Sequence, residues 1–258
     1  IEQENNRLEK KSRKKVLLRK TGMVAAVIVL LIACATILKR YTEIDITNST
    51  DVLPTAEVSA STLYIDGETM EMGNNAEIYC LPDQMKLRIK QGGGFVNVSY
   101  TSNKDLALSV PDNGNVKVHM ADGSEVLLRG RSNLKFPFLA ERRKVHVDGK
   151  AYFNVMHKND IPFITQAGKL TIRVLGTEYM VNAMPTEKRQ SVSLISGIVE
   201  VSPKGGKSIT RIKPGECFVY DDDNAISKIK KADLESVNAW KESLIVMKEK
   251  PITDLLMQ

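Results

Sequence analysis

Residues 116–128 read Val-Lys-Val-His-Met-Ala-Asp-Gly-Ser-Glu-Val-Leu-Leu, and this stretch decides the fold class. Apolar and polar residues alternate from Val116 to Met120, and a second apolar run begins at Val126 after an Asp-Gly pair. A period of two is typical of a strand with one buried face, and Asp-Gly between two such runs is typical of a tight turn. The stretch therefore predicts two strands joined at Asp122-Gly123.

The same pattern recurs on both sides of this stretch. Strand-length runs lie at residues 62–65, 95–98, 144–147 and 171–175, and each adjoins a turn signal, namely Asp66-Gly67, Gly92-Gly93-Gly94, Asp148-Gly149 and Gly176 respectively. Short runs about 8–12 residues apart, without a long helical period, are typical of antiparallel sandwiches. We predict a mainly β domain over residues 61–231, an antiparallel sandwich of jelly-roll-like form.

A helical period first appears near the end of the chain. Residues 232–240 suit a short amphipathic helix, and residues 251–257 resemble the opening of another helix, with Pro251 in its first turn. We expect residues 232–258 to be the start of a small C-terminal α/β domain.

One uncharged apolar segment, residues 22–38, precedes the β region. As a helix it spans roughly 26 Å at about 1.5 Å per residue, close to the roughly 30 Å of a bilayer core. Basic residues that can reach the headgroups flank it: Lys14, Lys15, Arg19 and Lys20 before it, and Lys39 and Arg40 after it. We predict a cytoplasmic stub (1–20), a transmembrane helix (21–40) and a tether (41–60), with the β domain across the membrane.

Two alternatives to a spanning helix stay open. The segment could be a buried helix of a soluble domain, although it has no polar face. Residues 31–34, Leu-Ile-Ala-Cys, also have the form of a bacterial lipoprotein processing site. Cleavage there would make Cys34 a lipidated N-terminus.

Most of the net positive charge of the chain lies in its N-terminal stub. The formal net charge of the chain is +6, and eight basic against three acidic residues in the stub account for +5 of it. The remainder carries about one positive charge, so the sequence gives no case for nucleic-acid binding. Beyond the membrane segment, Cys80 and Cys217 either form a disulfide or are two buried thiols, because spacing does not determine connectivity.

The sequence shows no metal site, no cofactor site and no enzyme acting on another molecule. His119, His146 and His157 lack the spacing of metal ligands. Residues 221–224, Asp-Asp-Asp-Asn, lack the alternation and distal glutamate of a calcium loop and indicate a solvated turn. The triple glycine at residues 92–94 is not followed by the lysine and helix of a phosphate loop.

Several sequence blocks together resemble one family. They lie in order at residues 116–128, 132–137, 143–155, 162–163, 174–183, 196–201 and 213–216. In order and spacing they are similar to the periplasmic region of the FecR family, the anti-sigma regulators of TonB-dependent outer-membrane transport. The core of the match covers residues 116–220. The β region at 61–110 and the tail around Trp240 resemble the Bacteroidota branch of the family.

The resemblance implies a single-pass inner-membrane regulator with a cytoplasmic N-terminus and a periplasmic C-terminal domain. Its partners would be an extracytoplasmic-function (ECF) sigma factor, the signalling domain of a TonB-dependent transporter, inner-membrane lipids and an intramembrane protease acting on residues 22–38. Only residues 1–20 precede the membrane, so we expect further sequence before Ile1. The stub itself either contacts lipid headgroups or ends a sigma-binding helix. A membrane-anchored periplasmic scaffold, a glycan-binding module and a lipoprotein adaptor are the alternative functions.

One dipeptide carries chemistry that the chain could perform on itself. Thr177 places a hydroxyl beside the Gly176 carbonyl, and attack there would give an N-to-O acyl shift and then hydrolysis of the ester. Some relatives are thought to cleave themselves at a matching Gly-Thr. The reaction needs a strained peptide and a nearby base. The alternative is a glycine bulge or turn that leads into the strand at residues 178–181.

Overall fold

The structure is a computed structural model that describes residues 59–100, 104–158, 161–205 and 208–242. The predicted stub, the membrane segment with its flanking basic residues, Cys34, nearly all of the tether and the helix at residues 251–257 lie outside the described residues. Within the described ranges, no helix has both the length and the apolar character needed to cross a bilayer.

The predicted mainly β class is confirmed, because the described residues form 17 strands, one 3-10 helix (Pro82–Gln84) and one α-helix. In chain order they are β1 Ser61–Ile65, β2 Glu68–Met72, β3 Asn75–Leu81, β4 Lys86–Gln91, β5 Gly94–Ser99, β6 Leu106–Val110, β7 Asn115–His119, β8 Glu125–Phe136, β9 Lys144–Asn154, β10 Phe163–Ala167, β11 Leu170–Val174, β12 Glu178–Ala183, β13 Arg189–Ser196, β14 Val199–Pro203, β15 Thr210–Ile212, β16 Glu216–Asp221, β17 Ile226–Lys231 and α1 Leu234–Glu242.

All strands belong to one hydrogen-bonded network, and the long hairpin of β8 and β9 joins its two sheets. The first sheet has the order β5-β4-β3-β7-β8-β9-β12-β13-β16-β17. The second has the order β2-β1-β6-β8-β9-β10-β11-β14-β15. Most neighbours are antiparallel as predicted, whereas β3–β7 and β9–β10 are parallel pairs.

The β8–β9 hairpin bends because its register shifts between Arg129 and Asn133. On the opposite strand, Gly149 has a φ of +121°, and a Cβ there would lie 2.5–2.7 Å from atoms of the buried Ser132. The predicted turn at Asp148-Gly149 is therefore wrong: both residues lie inside β9, where glycine permits a close approach at the bend. At Asp66-Gly67, by contrast, both residues have positive φ and form the expected two-residue turn.

The core lies between the two sheets and follows the alternation of the sequence. In β7 and β13, for example, every second side chain is buried. Phe153 stacks on Tyr179 with ring centroids 4.9 Å apart and meets Phe163 edge-on at 6.2 Å. Full burial of each large apolar side chain stabilises the fold by about 1.5–3 kcal/mol.

The structure contradicts a Cys80–Cys217 disulfide, since both thiols are free and buried. Cys80 lies on β3 and Cys217 on β16, six strand positions apart in the first sheet. At about 4.8 Å per strand this is roughly 29 Å, whereas a disulfide needs Cα atoms within about 7 Å. Burial raises the pKa of the Cys80 thiol to about 12, with a smaller contribution from the charge of Asp122, and this keeps the thiol protonated and unreactive.

Candidate functional site

The Gly176-Thr177 peptide lies in the connection between β11 and β12, and the residues around it enclose it. Thr177 is only 4% exposed. On one side, the Val155 amide donates to the Thr177 carbonyl at 3.0 Å, and the Lys158 amide donates to the Leu175 carbonyl at 3.1 Å. The segment after β9 therefore runs alongside the dipeptide and pairs with its backbone.

His157, in the middle of this segment, packs directly against Gly176. A Cβ on Gly176 would lie 2.5 Å from the Cα, the Cβ and the Nδ1 of His157. The φ of Gly176 is not in the left-handed region, so the close approach of His157, and no turn conformation, is what requires glycine here. The sequence alternative of a glycine bulge or turn does not include this contact, although the register of β12 against β13 does shift between Glu178 and Tyr179.

Gly197 encloses the dipeptide from the turn between β13 and β14. It has a φ of +91°, and a Cβ there would lie 2.7 Å from Thr177 Oγ1 and 2.8 Å from the Gly176 carbonyl oxygen. The Thr177 hydroxyl donates to the Ile198 carbonyl at 3.0 Å. Hydroxyl and carbonyl thus lie side by side against one glycine, with no side chain between them and the turn.

A buried polar network of Asp122, Ser124 and Arg143 holds the segment that carries His157. The Arg143 Nε donates to Asp122 at 2.6 Å, and the two side chains are 1% and 3% exposed. The other Arg143 nitrogens donate to the carbonyls of Met156 and Ile161 at 2.5 Å each. Ser124 donates to Asp122 from both its amide and its hydroxyl at 2.9 Å, and its hydroxyl accepts the Met156 amide at 3.0 Å. Each side-chain nitrogen of Arg143 and each carboxylate oxygen of Asp122 thus has a hydrogen-bond partner, which offsets the cost of burying the two charges.

A second set of contacts, the α1 contact cluster, fastens the end of the helix to the first sheet. Its members are Arg129 on β8, Tyr152 on β9, Glu178 on β12, and Trp240 and Lys241 on α1. Arg129 donates to the carbonyls of Trp240 and, at 3.1 Å, Lys241, and its guanidinium lies 5.4 Å from the centre of the Trp240 ring. These contacts tie the last described turn of α1 to β8.

The other half of this cluster involves the residue that follows Thr177. Glu178 accepts a hydrogen bond from the Tyr152 hydroxyl and pairs with the Lys241 ammonium at 3.3 Å. That ammonium also lies 4.8 Å from the centre of the Tyr152 ring. Burial, with the Glu178 hydrogen bond second, raises the pKa of Tyr152 to about 12. The helix end and the Gly176-Thr177 connection are thus linked through one carboxylate.

The other residues considered for chemistry have structural partners. The ring of His119 stacks on Tyr79 at 4.3 Å, and its Nδ1 lies 3.0 Å from Glu125. His146 lies 3.2 Å from Asp148. Among the described residues, no group of three or more histidine, cysteine or carboxylate side chains could hold a metal ion.

The three aspartates of residues 221–224 each form an ion pair with a basic side chain. Asp221 pairs with Arg189 at 3.2 Å, Asp222 with Lys169 at 2.7 Å, and Asp223 with Lys188 at 2.6 Å. The negative charge of each carboxylate is thus balanced by the ammonium or guanidinium group of its partner.

Sequence reasoning found Gly176-Thr177 but missed what surrounds it. His157 is 20 residues away, Gly197 is 20 residues away on the other side, and Arg143 and Asp122 belong to blocks that read as ordinary strand ends. No local signal marks Asp122 and Arg143 as a buried pair, because Asp122 stands in an Asp-Gly turn and Arg143 in a run of charged residues, Glu-Arg-Arg-Lys.

Comparison with known proteins gives a family match over the region of the dipeptide. The family described as FecR protein matches residues 107–200, which include Asp122, Arg143, His157, Gly176-Thr177 and Gly197. Two crystal structures, each of a candidate anti-sigma factor from Parabacteroides distasonis ATCC 8503, are similar at 27% and 28% identity with TM-scores of 0.51 and 0.52. Each alignment covers 58% of this chain and 70% of the other. No curated protein matches the sequence. The resemblance that the sequence blocks predicted is confirmed.

Proposed function

From the premise that residues 107–200 form a FecR-family domain, we propose that this chain is a transmembrane anti-sigma factor. It relays the state of an outer-membrane TonB-dependent transporter to a cytoplasmic ECF sigma factor. The family match and the two similar anti-sigma structures support the regulatory role. The charge pattern around residues 22–38 supports an inner-membrane position with the N-terminus in the cytoplasm and the β domain in the periplasm.

Co-purification tests this role. The full-length gene product, extracted from membranes in mild detergent, should bring one ECF sigma factor with it. Removal of the residues that precede the membrane segment should abolish that association and leave the periplasmic domain folded. A preparation that carries no sigma factor but binds cell-wall glycan would contradict the proposal and support the scaffold or glycan-binding alternative.

We further propose that the domain cleaves itself at Gly176-Thr177. The Thr177 hydroxyl oxygen attacks the Gly176 carbonyl carbon, the C–N bond breaks, and the amide nitrogen takes the proton that the hydroxyl loses. The resulting ester is hydrolysed by water to a Gly176 carboxylate and a free Thr177 hydroxyl. The side-by-side enclosure of the hydroxyl and the carbonyl against Gly197 is the observation that favours this reaction.

A nick at this position leaves the domain assembled, since the strand on either side of it is paired. β11 pairs with β10 and β14, and β12 pairs with β9 and β13. The two fragments therefore separate only when the sheets are pulled apart. Withdrawal of the C-terminal fragment by a loaded transporter would then unfold the remainder and make residues 22–38 accessible to an intramembrane protease.

Incubation of the purified protein tests the cleavage. Mass spectrometry should find a fragment that begins with Thr177, and the fragments should co-elute in native gel filtration. Thr177→Ser keeps the hydroxyl and should still be cut, whereas Thr177→Ala should not. A nick that persists in Thr177→Ala would show that the acyl shift is wrong.

A further inference from the structure

We infer that His157 is the proton carrier of the Gly176-Thr177 acyl shift, held in place by the buried Asp122–Arg143 pair. This inference rests on the self-cleavage proposed above and assigns the base which that reaction needs. His157 precedes Gly176 by 19 residues in the sequence, and only the folded chain brings the two together.

The position of the imidazole follows from the missing side chain of Gly176. His157 Nδ1 lies 2.5 Å from the point where a Cβ would be. Because a carbon–carbon bond is about 1.5 Å long, Nδ1 is within about 4 Å of the Gly176 Cα, the atom bonded to the carbonyl carbon that Thr177 would attack. A catalytic base acts on its proton directly or through one water. The imidazole lies on the Gly176 side of the peptide, and a single bridging water would connect it to the Thr177 hydroxyl.

The backbone fixes the segment in register with the dipeptide. Val155 and Lys158 donate hydrogen bonds to the carbonyls of Thr177 and Leu175, the residues on either side of Gly176, at 3.0 and 3.1 Å. His157 lies between these two bonds. The segment therefore cannot shift relative to the dipeptide without breaking one of them. This register places the imidazole of His157 beside the scissile peptide.

Imidazole chemistry suits both halves of the step. It accepts the proton of the Thr177 hydroxyl as Oγ1 bonds to the Gly176 carbon, and it returns that proton to the Thr177 nitrogen as the C–N bond breaks. The histidine ends in the form in which it began, and water is consumed only in the later hydrolysis of the ester. At rest the hydroxyl donates to the Ile198 carbonyl, so it must rotate away from that bond before it reacts.

Arg143 acts as a positioning residue. Its two terminal nitrogens bond the carbonyls of Met156 and Ile161, and Ser124, which bonds the same aspartate, also binds the Met156 amide. Met156 precedes His157, so the buried pair determines where the imidazole lies. With the bond from its Nε to Asp122, the guanidinium supplies three hydrogen bonds in one plane, which a lysine ammonium does not.

His157→Gln tests the inference, because glutamine is polar and similar in size but does not carry protons at neutral pH. We expect the rate of appearance of the Thr177 fragment to fall by about 100-fold, within the usual range for general acid–base catalysis. His146→Gln, at a partly exposed histidine paired with Asp148, should leave the rate unchanged. His157→Ala should also be slow and should recover on addition of free imidazole, which a purely structural role would not explain. Circular dichroism melts confirm that each variant is folded.

The outcomes separate the two proposals. If the wild-type chain is cut in a Thr177-dependent manner and His157→Gln is cut at the same rate, the role of His157 is wrong and the acyl shift stands. If imidazole fails to rescue His157→Ala, the histidine carries no proton and the role is equally wrong. If the wild-type chain shows no Thr177-dependent cut, both proposals fail.

Discussion

The region at residues 61–100 and the FecR-matched region at 107–200 use the same strand-and-turn pattern in different ways. In the first, β5 is almost wholly exposed, and Phe95 is 59% exposed. The glycines at 92 and 93 have positive φ and open space around them. They serve turns alone, and the region contributes one buried face to the common core.

In the matched region, glycines and charges are used for packing. Gly176 and Gly197 leave no room for a side chain, because His157 and Thr177 fill the space. The Asp122–Arg143 pair is buried, whereas the Glu77–Lys90 pair of the first region lies at the surface at 2.8 Å. Glycines in the two regions are therefore required for different reasons. Those with the closest contacts surround the dipeptide proposed for cleavage.

The largest expected effect comes from breaking the buried pair. Arg143→Met leaves Asp122 charged and without its guanidinium, which should lower the free energy of unfolding by about 3–5 kcal/mol. The control is the adjacent Arg142→Met, whose side chain is 50% exposed and pairs with Asp105 at 2.8 Å; it should cost less than about 1 kcal/mol. Urea unfolding measures both. Equal losses would remove the distinction between the two kinds of charge.

A matched pair of glycine substitutions isolates the packing term. Gly197→Ala meets Thr177 and the Gly176 carbonyl and should cost about 2–4 kcal/mol, the sum of backbone strain and overpacking. Gly205→Ala has the same sign of φ, at +75°, with nothing within 4 Å, and should cost only the strain of about 1 kcal/mol. Chemical denaturation gives the difference. Losses of the same size would show that the enclosure around the dipeptide is loose.

The α1 contact cluster should show a smaller effect. Lys241→Met removes the partly exposed ion pair with Glu178 and the contact with the Tyr152 ring, and it should cost about 1 kcal/mol. A double-mutant cycle with Glu178→Gln measures the coupling, expected at about 0.5–1 kcal/mol. Additive effects, with no coupling, would mean that the helix end is not linked to the residue after Thr177.

The smallest effect belongs to the surface pair of the first region and depends on pH. Hydrogen bonds from Lys90 and then from Tyr79 lower the pKa of Glu77 to about 2, from 4.5. The folded pKa is the lower one, so the stabilisation is complete above about pH 4.5 and is lost as the pH falls through about 2.

Glu77→Gln should therefore be less stable than wild type at pH 6, by less than about 1 kcal/mol, and the gap should close between pH 4.5 and 2. Melting curves over this range measure it. Glu68→Gln, at an exposed position on β2, is the control and should show no such change. A gap for Glu77→Gln that is constant with pH would mean that the charge of Glu77 contributes nothing.

Sequence patterns predicted correctly the strands and the turn whose conformation depends only on neighbouring residues. The Asp66-Gly67 turn and the runs at residues 95–98, 116–120 and 171–175 correspond to observed elements, because alternation and positive φ depend on near neighbours. The same rule failed at Asp148-Gly149. There the bend of a long hairpin around Ser132 needs the glycine, and a long-range contact overrides the turn signal.

The sequence by itself determined the mainly β class, the resemblance to the FecR family and the Gly176-Thr177 dipeptide, since periodicity and block order are properties of the chain alone. Only the tertiary structure decided that the thiols of Cys80 and Cys217 are six strands apart and that His157 fills the space at Gly176. These relations join residues 19 and 137 positions apart, and they depend on strand order and register, which the two-residue period of a strand does not specify.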